Sequence, residues 1–428
     1  MNRTCAIATL GCKTNQFESA AMEELLAEAG FTMVAFDQGA DLVIVNTCTV
    51  TAATDSQSRN LIRRARRLNP ACRIVVTGCY AQVDPGPLAA LPGVAVVIGN
   101  EEKRRLPEIL AEGRTGIQVS DIRSNPGPAM TLTSFAGRSR AFLQIQNGCD
   151  AFCSYCIIPY ARGPSRSVSV QDVIRQVDRL AAGGYAEVVL TGIHVGAYGR
   201  DLEPPVSLLE LVDQILLKTP VSRLRLGSIE PLEMSLELIR AMADSARICS
   251  HVHIPLQSGD DAVLKRMNRN YGREGFRRLV EDIRLRLPEA AIGCDVITGF
   301  PGETDREFTN TLQLIEELPV THLHVFPFSR RPGTPAASMA GQVPGPVARE
   351  RAALLRDLGH RKLADFAKGF VGQRLEVVIE GRKRGGRGRG LTGNYLSVNF
   401  SCPADLEGQL LPVLIENWNG EALEGRLP

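Results

Sequence analysis

Cys149, Cys153 and Cys156 stand in the segment Asn147-Gly148-Cys149-Asp150-Ala151-Phe152-Cys153-Ser154-Tyr155-Cys156. This Cys-x3-Cys-x2-Cys spacing constrains the chain more than any other feature. Three thiolates so spaced can hold three irons of a four-iron cluster and leave the fourth iron without a protein ligand. An open iron is a chemical site, not a structural staple. A structural zinc site wants four protein ligands, and no fourth Cys or His lies close by in the sequence. Zinc and disulfide bonding remain the bland readings.

The rest of the composition narrows the setting. The apolar runs are short, such as Leu42-Val43-Ile44-Val45 and Val94-Ala95-Val96-Val97-Ile98, and none approaches a membrane span. The opening Met1-Asn2-Arg3-Thr4 lacks the apolar core of a signal peptide, so the expected compartment is the cytoplasm. Eleven cysteines in a reducing compartment point to metal or redox chemistry rather than disulfides. With a net charge of only +2, nucleic-acid binding must be argued from local patches.

Periodicity divides the chain into three segments of an α/β protein. In the first, strands are expected over 5–10, 42–45, 73–77 and 94–98. Phe17, Ala20, Ala21, Leu25 and Ala29 mark a helix face, 61–68 lies in a basic helix, and a further helix is expected from about 101 to 111. This alternation predicts a small parallel α/β sheet domain over 1–120, followed by a Pro/Gly-bearing linker around 120–137. In the middle segment, strands are expected over 142–146, 187–191, 223–226, 251–255, 292–297 and 322–326, separated by helical patterns. Six βα units are too few for a closed eight-stranded barrel and predict a partial (βα)6 barrel, open on one side. With its connecting helix, this domain runs over 138–368. The last segment, 370–428, has short strands over 375–379, 396–400 and 413–415 punctuated by glycines, the pattern of a small antiparallel β-barrel.

A second cysteine triad emerges from position rather than spacing. Cys12, Cys48 and Cys79 each follow an expected parallel strand, in Leu10-Gly11-Cys12, Asn46-Thr47-Cys48 and Thr77-Gly78-Cys79. The carboxyl ends of parallel strands share one edge, where α/β domains bind ligands. Three thiols would converge there, and Gly11 and Gly78 would let the backbone approach closely. A metal or cluster site is one reading; three small buried hydrophobes at strand ends is the other. Cys5, Cys72, Cys249, Cys294 and Cys402 lie within or beside strands and read as packing.

The Cys149 loop has the spacing of the radical S-adenosylmethionine (SAM) enzymes, which the sequence resembles here. In that family the open iron chelates SAM, and an electron from the cluster cleaves it to a 5′-deoxyadenosyl radical. The two triads, the partial barrel and the terminal β-barrel together resemble the methylthiotransferases, radical SAM enzymes with a second cluster domain and a C-terminal TRAM domain. The resemblance implies two [4Fe-4S] clusters, with Cys12, Cys48 and Cys79 as ligands of one and Cys149, Cys153 and Cys156 of the other. The details are most similar to the threonylcarbamoyladenosine tRNA methylthiotransferases. They lie in Ala8-Thr9-Leu10-Gly11-Cys12-Lys13-Thr14-Asn15-Gln16-Phe17-Glu18-Ser19, in Ser228-Ile229-Glu230-Pro231 and in Cys156-Ile157-Ile158-Pro159-Tyr160-Ala161-Arg162-Gly163. The implied activity is 2-methylthiolation of N6-threonylcarbamoyladenosine at position 37 of tRNA. The implied partners are a tRNA anticodon stem-loop, an external one-electron reductant and a sulfur donor. Sister activities on isopentenyladenosine tRNA or a ribosomal-protein aspartate stay open, as does a non-catalytic RNA-binding iron–sulfur carrier.

Barrel enzymes build sites from loops at the carboxyl ends of strands, and here these loops supply candidates for SAM. Tyr155 matches the family position whose ring lies against adenine. Gly192, Glu230, Gln257 and Ser258 are polar or turn positions after the second, third and fourth strands, and Gly299 opens the Gly299-Phe300-Pro301-Gly302-Glu303 turn after the fifth. His251 with His253, and His322 with His324, alternate along their strands and share a face. They are expected as neutral, hydrogen-bonded lining. Three basic patches are candidates for RNA: Arg59, Arg63, Arg64, Arg66 and Arg67; Arg138, Arg140, Arg162 and Arg166; and Arg382, Lys383, Arg384, Arg387 and Arg389 in an expected Gly-rich loop.

Overall fold

The computed structural model describes residues 3–124, 127, 130–132, 135, 139–382, 386–402 and 406–427. The chain forms two compact units, one of Met1–Ala136, Gln146–Val168 and Ser329–Ala337, the other of Gly137–Ile145, Ser169–Phe328 and Ser338–Pro428. The cysteine loop thus belongs to the same unit as the N-terminal sheet.

In the first unit, strands β1 (Arg3–Thr9), β2 (Phe31–Met33), β3 (Leu42–Thr47), β4 (Arg73–Gly78), β5 (Val94–Ile98) and β6 (Gly116–Gln118) form one parallel sheet in the order β2-β1-β3-β4-β5-β6. The four expected strands are present. The two three-residue edge strands were not foreseen, being too short to carry a periodicity. The central strand β3 is buried along its whole length because helices cover both faces. On one face Val43, Val45, Ile74 and Val76 pack with Ile62 and Ala65 of helix Ala52–Leu68. On the other, Leu42, Ile44 and Val75 pack with Met22 and Leu26 of helix Lys13–Glu28 and with Leu106 and Ile109. Alternation along the strands therefore builds a three-layer sandwich. A short hairpin, β8 (Gln146–Asn147) with β9 (Arg166–Ser167), closes the base of the cysteine loop.

The second unit contains β7 (Arg140–Gln144), β10 (Glu187–Thr191), β11 (Arg223–Leu226), β12 (His251–His253), β13 (Ala291–Thr298) and β14 (His322–Pro327). They form two parallel three-stranded sheets, β11-β10-β7 and β12-β13-β14. Isolated parallel bridges Leu224↔Ile248 and Ser228↔His253 join them, giving the expected open array of six βα units. Helix Gly345–Lys368 packs on the outer face of β13 and β14.

The same unit ends in a closed five-stranded barrel, β15 (Arg374–Arg382), β16 (Arg387–Thr392), β17 (Ser397–Ser401), β18 (Leu410–Trp418) and β19 (Leu423–Arg426), ordered β15-β16-β17-β19-β18. One of its pairings, β17 with β19, is parallel. The run expected as a Gly-rich loop is in part strand, because β16 begins at Arg387 and carries Arg389. Among the described residues no helix is long and apolar enough to cross a membrane.

The two strand arrays meet at a buried charge cluster. The Glu187 carboxylate is fully buried and accepts from Arg223 Nη2 at 2.6 Å, from Arg225 Nε and Nη2 at 2.8 and 3.0 Å, and from Arg140 Nη1 at 3.3 Å. Arg225 then donates to the carbonyls of Thr392 and Gly393, both at 2.9 Å. Tyr395 stacks on His251, with ring centroids 4.3 Å apart.

Candidate functional site

Strand ends β1, β3 and β4 deliver Cys12, Cys48 and Cys79 to one edge of the sheet, as parallel register requires. The missing side chains before two of them matter. A Cβ on Gly11 would stand 2.7 Å from Cys48 Cβ and 2.8 Å from its Sγ, and one on Gly78 would stand 2.3 Å from the Thr47 carbonyl oxygen. Cys48 and Cys79 are buried and Cys12 is exposed. Burial first, then the neighbouring Cys79 and Cys12, push the Cys48 thiol up to about 12, against a Val50 amide and Arg162 that favour its thiolate.

The motif after Cys12 builds the surroundings. Asn15 donates to the carbonyls of Leu10 and Thr47, at 2.7 and 3.0 Å, tying the ends of β1 and β3 together. Glu18 is buried between Arg162 and Lys103, whose Nζ lies 2.5 Å from its carboxylate. Burial alone would raise this carboxyl, but the two cations hold it down to about 2. Arg162 is fully buried. It pairs with Glu18, donates to Asn15 Oδ1, and directs its Nε–H at Cys79 Sγ, 3.2 Å away. Two cations against one carboxylate leave a net positive charge beside Cys79.

The second triad is fastened to the same place. The amide of Cys149 donates to the carbonyl of Gly163, the neighbour of Arg162, at 3.1 Å, and the Cys156 amide donates to the Cys153 carbonyl at 2.9 Å. Gln146 Nε2 donates to the Gly148 carbonyl at 2.8 Å and to Ser165 Oγ at 2.9 Å, and the Asp150 carboxylate accepts from the Ser165 amide. Phe152 takes a φ of 45° in this turn, and its ring meets Tyr160 edge-on at 5.9 Å. Arg331 donates to Thr49 Oγ1 and Asp55 at 2.6 and 2.7 Å, bracing the loop after Cys48.

Both triads suit a polynuclear group. None of the eleven cysteines is joined in a disulfide, so the disulfide reading fails. Sulfurs around one tetrahedral metal stand about 3.8 Å apart, from metal–sulfur bonds of about 2.3 Å. Among the described residues the only group of three ligand-type side chains with donor atoms all within 4.8 Å is His253, Asp295 and His324. Neither cysteine triad belongs to that group, so neither is drawn in to the spacing of a single tetrahedral ion.

The other expected site residues divide. Tyr155 is half-buried in the cysteine loop. In the second unit, Gly192 follows β10 and is half-buried. Glu230 pairs with Arg269. Gln257 sits at φ 62°, with its amide on the Asp295 carbonyl at 2.8 Å. Ser258 is almost wholly buried, and its hydroxyl lies 3.3 Å from Thr311 Oγ1 and accepts from the Asp260 amide. That side chain is engaged within the protein rather than offered to a ligand. The Gly299 amide donates to Glu303 at 2.7 Å, forming the turn after β13.

The patch expected around the cysteine loop is corrected. Arg162 is buried in the cluster edge, Arg166 pairs with Glu101 at 2.5 Å, and Arg140 pairs with Glu380 at 2.6 Å; Arg138 lies outside the described residues. These arginines are structural because carboxylates far away in sequence reach them. Arg59 donates to Tyr80, leaving Arg63, Arg64, Arg66 and Arg67 exposed on their helix. Arg387 and Arg389 are exposed on β16; Lys383 and Arg384 lie outside the described residues, as does the side chain of Arg382. Sequence reasoning missed Glu18, Lys103 and Arg331. The one available signal was Glu18, a carboxylate on a helix face otherwise read as apolar.

Comparison with known proteins agrees with this architecture. Residues 4–99 match the uncharacterized protein family UPF0004, 143–315 the radical SAM superfamily and 368–427 the TRAM domain. Among solved structures, the fold is similar to a radical SAM methyltransferase, TsrM of Kitasatospora setae. The TM-score is 0.58 at 18% identity, covering 90% of this chain and 82% of that one. The fold and the cysteine loop therefore define a radical SAM protein with an N-terminal sheet domain and a terminal TRAM barrel. The chain is 40% identical over 422 residues to threonylcarbamoyladenosine tRNA methylthiotransferase MtaB of Bacillus subtilis, covering 96% of this chain and 93% of the relative. It is 33% identical over 438 residues to the tRNA-2-methylthio-N(6)-dimethylallyladenosine synthase of Clostridium novyi, covering 100% and 97%. The chain belongs to the family of the threonylcarbamoyladenosine tRNA methylthiotransferases.

Proposed function

We propose that this protein is the tRNA methylthiotransferase that converts N6-threonylcarbamoyladenosine at position 37 to its 2-methylthio derivative. The observation that carries the proposal is the junction of the two triads. The Cys149 amide bonds to the Gly163 carbonyl, and the adjacent Arg162 donates to Cys79. One dipeptide thus touches both cysteine sets, as a reaction needing two inorganic groups together requires.

In this reading Cys149, Cys153 and Cys156 hold one [4Fe-4S] cluster and Cys12, Cys48 and Cys79 the other. When bound, the clusters and SAM supply one-electron chemistry and the sulfur. The chain supplies placement and electrostatics. Gln146 and Asp150 fix the loop, Asn15 ties the strand ends, and Arg162 keeps positive charge at Cys79. An adenine C2–H has no useful acidity, so no side-chain base could remove it, and the half-buried His322, which desolvation lowers to about 4, is neutral lining. Tyr155, Gly192, Glu230, Gln257 and Gly299 remain proposed contacts for SAM. Arg382, Lys383, Arg384, Arg387 and Arg389 are proposed to grip the tRNA backbone, which leaves the anticodon-loop base to the barrel. Domain limits of 1–120, 138–368 and 370–428 go with this division of labour. The reading also implies a cytoplasmic enzyme supplied by an external one-electron reductant and a sulfur donor.

The test is mass spectrometry of tRNA nucleosides from a strain lacking the gene. The 2-methylthio derivative should vanish while its threonylcarbamoyl precursor accumulates. The wild-type gene should restore it and a Cys153→Ala copy should not. Loss of 2-methylthio-isopentenyladenosine instead would transfer the chain to the sister activity. Restoration by Cys153→Ala would favour a non-catalytic carrier.

A further inference from the structure

The second unit holds a polar cluster that the chemistry above does not use. His253 Nε2 and His324 Nδ1 both reach Asp295 Oδ1, at 3.0 and 3.2 Å. Their rings stand 5.0 Å apart. Backbone register brings this about. His253 is the partner of Gly293 across β12–β13, and Asp295 is the partner of His324 across β13–β14. Gly293 leaves the room for it, since a Cβ there would stand 2.8 Å from His253 Nδ1. Two residues along the same face, Ile297 is the partner of Phe326.

This face is open to visitors. The opposite face of the strands, with Cys294, Val296 and Val325, is buried under helix Gly345–Lys368. On the open face the His324 side chain is 54% exposed and Phe326 is 45% exposed. Among the described residues, Asp295 Oδ2, His324 Nε2 and His253 Nδ1 have no hydrogen-bond partner. An exposed aromatic ring beside three unused polar atoms suits a flat base carrying a polar substituent. It does not suit an aliphatic substituent, which would bury these groups without partners. A threonylcarbamoyl group offers urea N–H and C=O, a hydroxyl and a carboxylate.

We infer that His324, oriented by Asp295, hydrogen-bonds the threonylcarbamoyl substituent while Phe326 stacks on the base. This inference rests on the substrate reading above. His324 is then a specificity residue, and Asp295 is a positioning residue that acts through it. A divalent ion is the competing occupant. It is disfavoured because the ring nitrogens that would ligate it already point at one carboxylate oxygen at hydrogen-bond distance.

The test compares anticodon stem-loops bearing threonylcarbamoyladenosine, isopentenyladenosine or plain adenosine, with reconstituted wild-type, His324→Ala, His324→Gln and Asp295→Asn proteins of matched iron content. His324→Ala should lose about tenfold to a hundredfold in kcat/KM on the threonylcarbamoyl stem-loop, the scale of a hydrogen bond to a charged group. The loss should fall mainly on KM and be small on plain adenosine. His324→Gln should recover part of it, and Asp295→Asn should weaken the same discrimination. Unchanged kcat/KM in His324→Ala, or an equal loss on all three stem-loops, would overturn the assignment. So would one Mn²⁺ bound per chain in wild type and none in Asp295→Asn. A wild-type enzyme inert on the threonylcarbamoyl stem-loop but active on another would sink the substrate reading itself, a distinguishable failure.

Discussion

Replacing Glu187 by Gln removes one charge from a site where three arginines converge. The native carboxyl, ordinarily near 4.5, is lowered to about 2; burial works the other way, and Arg225, Arg223 and Arg140 outweigh it. At about 1.4 kcal/mol per unit, the depression represents about 3 kcal/mol of stability at neutral pH. Removing one partner of a buried ion pair costs about 3–5 kcal/mol by mutational experience, so the two routes agree. Because the folded-state value is the lower one, the contribution is complete above about pH 4.5 and disappears as pH falls through about 2. Gln mimics the protonated acid, so the gap between the two proteins should be constant above about pH 5 and close in strong acid. The single tryptophan, Trp418, lies in β18, in the barrel whose carbonyls Arg225 contacts. Its fluorescence reports unfolding there. A chain of this size need not unfold in one step, so the quantity to compare is the urea midpoint of the Trp418 transition. With a slope of about 1–3 kcal/mol per molar, the midpoint should fall by about 1–3 M. An unchanged midpoint at pH 7, or a gap that widens on acidification, would refute the assignment of stability to this cluster.

Two other outcomes bear on the site. Arg162→Met removes the buried cation that donates to Cys79, so the auxiliary cluster should become harder to reduce. In a potentiometric titration followed by electron paramagnetic resonance, one of two cluster signals should move to lower potential; movement of both, or of neither, would contradict the placement of Arg162. Arg387→Ala with Arg389→Ala should weaken tRNA binding and flatten the slope of log affinity against log salt by about 1.5–2, and an unchanged slope would remove the RNA role from β16. Among the described residues both arginines have only loose partners, Arg387 with Glu424 at 3.9 Å and Arg389 with Glu380 at 3.9 Å and Ser397 Oγ at 3.5 Å. These substitutions test the barrel more cleanly than deleting it, which would uncover Arg223, Arg225 and His251.

Local pattern carried much of this protein in its sequence. The Cys149 loop was legible because its three cysteines lie within eight residues. The long strands were legible because burial between helices leaves an unbroken apolar run, as in Leu42-Val43-Ile44-Val45. The ends of those strands even announced the Cys12, Cys48 and Cys79 edge, since parallel strands share one polarity. Strands β2 and β6 escaped notice because three residues cannot establish a period, and β16 because its glycines mimic a loop. Charge was where sequence misled. Arg162 looked like a surface cation beside a loop, yet Glu18, 144 positions away, makes it a buried partner of Cys79. The meeting of His253, Asp295 and His324 was equally invisible, for it depends on the register of three strands. Ionic and hydrogen-bonding pairs are set by distance in space, and only the folded sheets determine that.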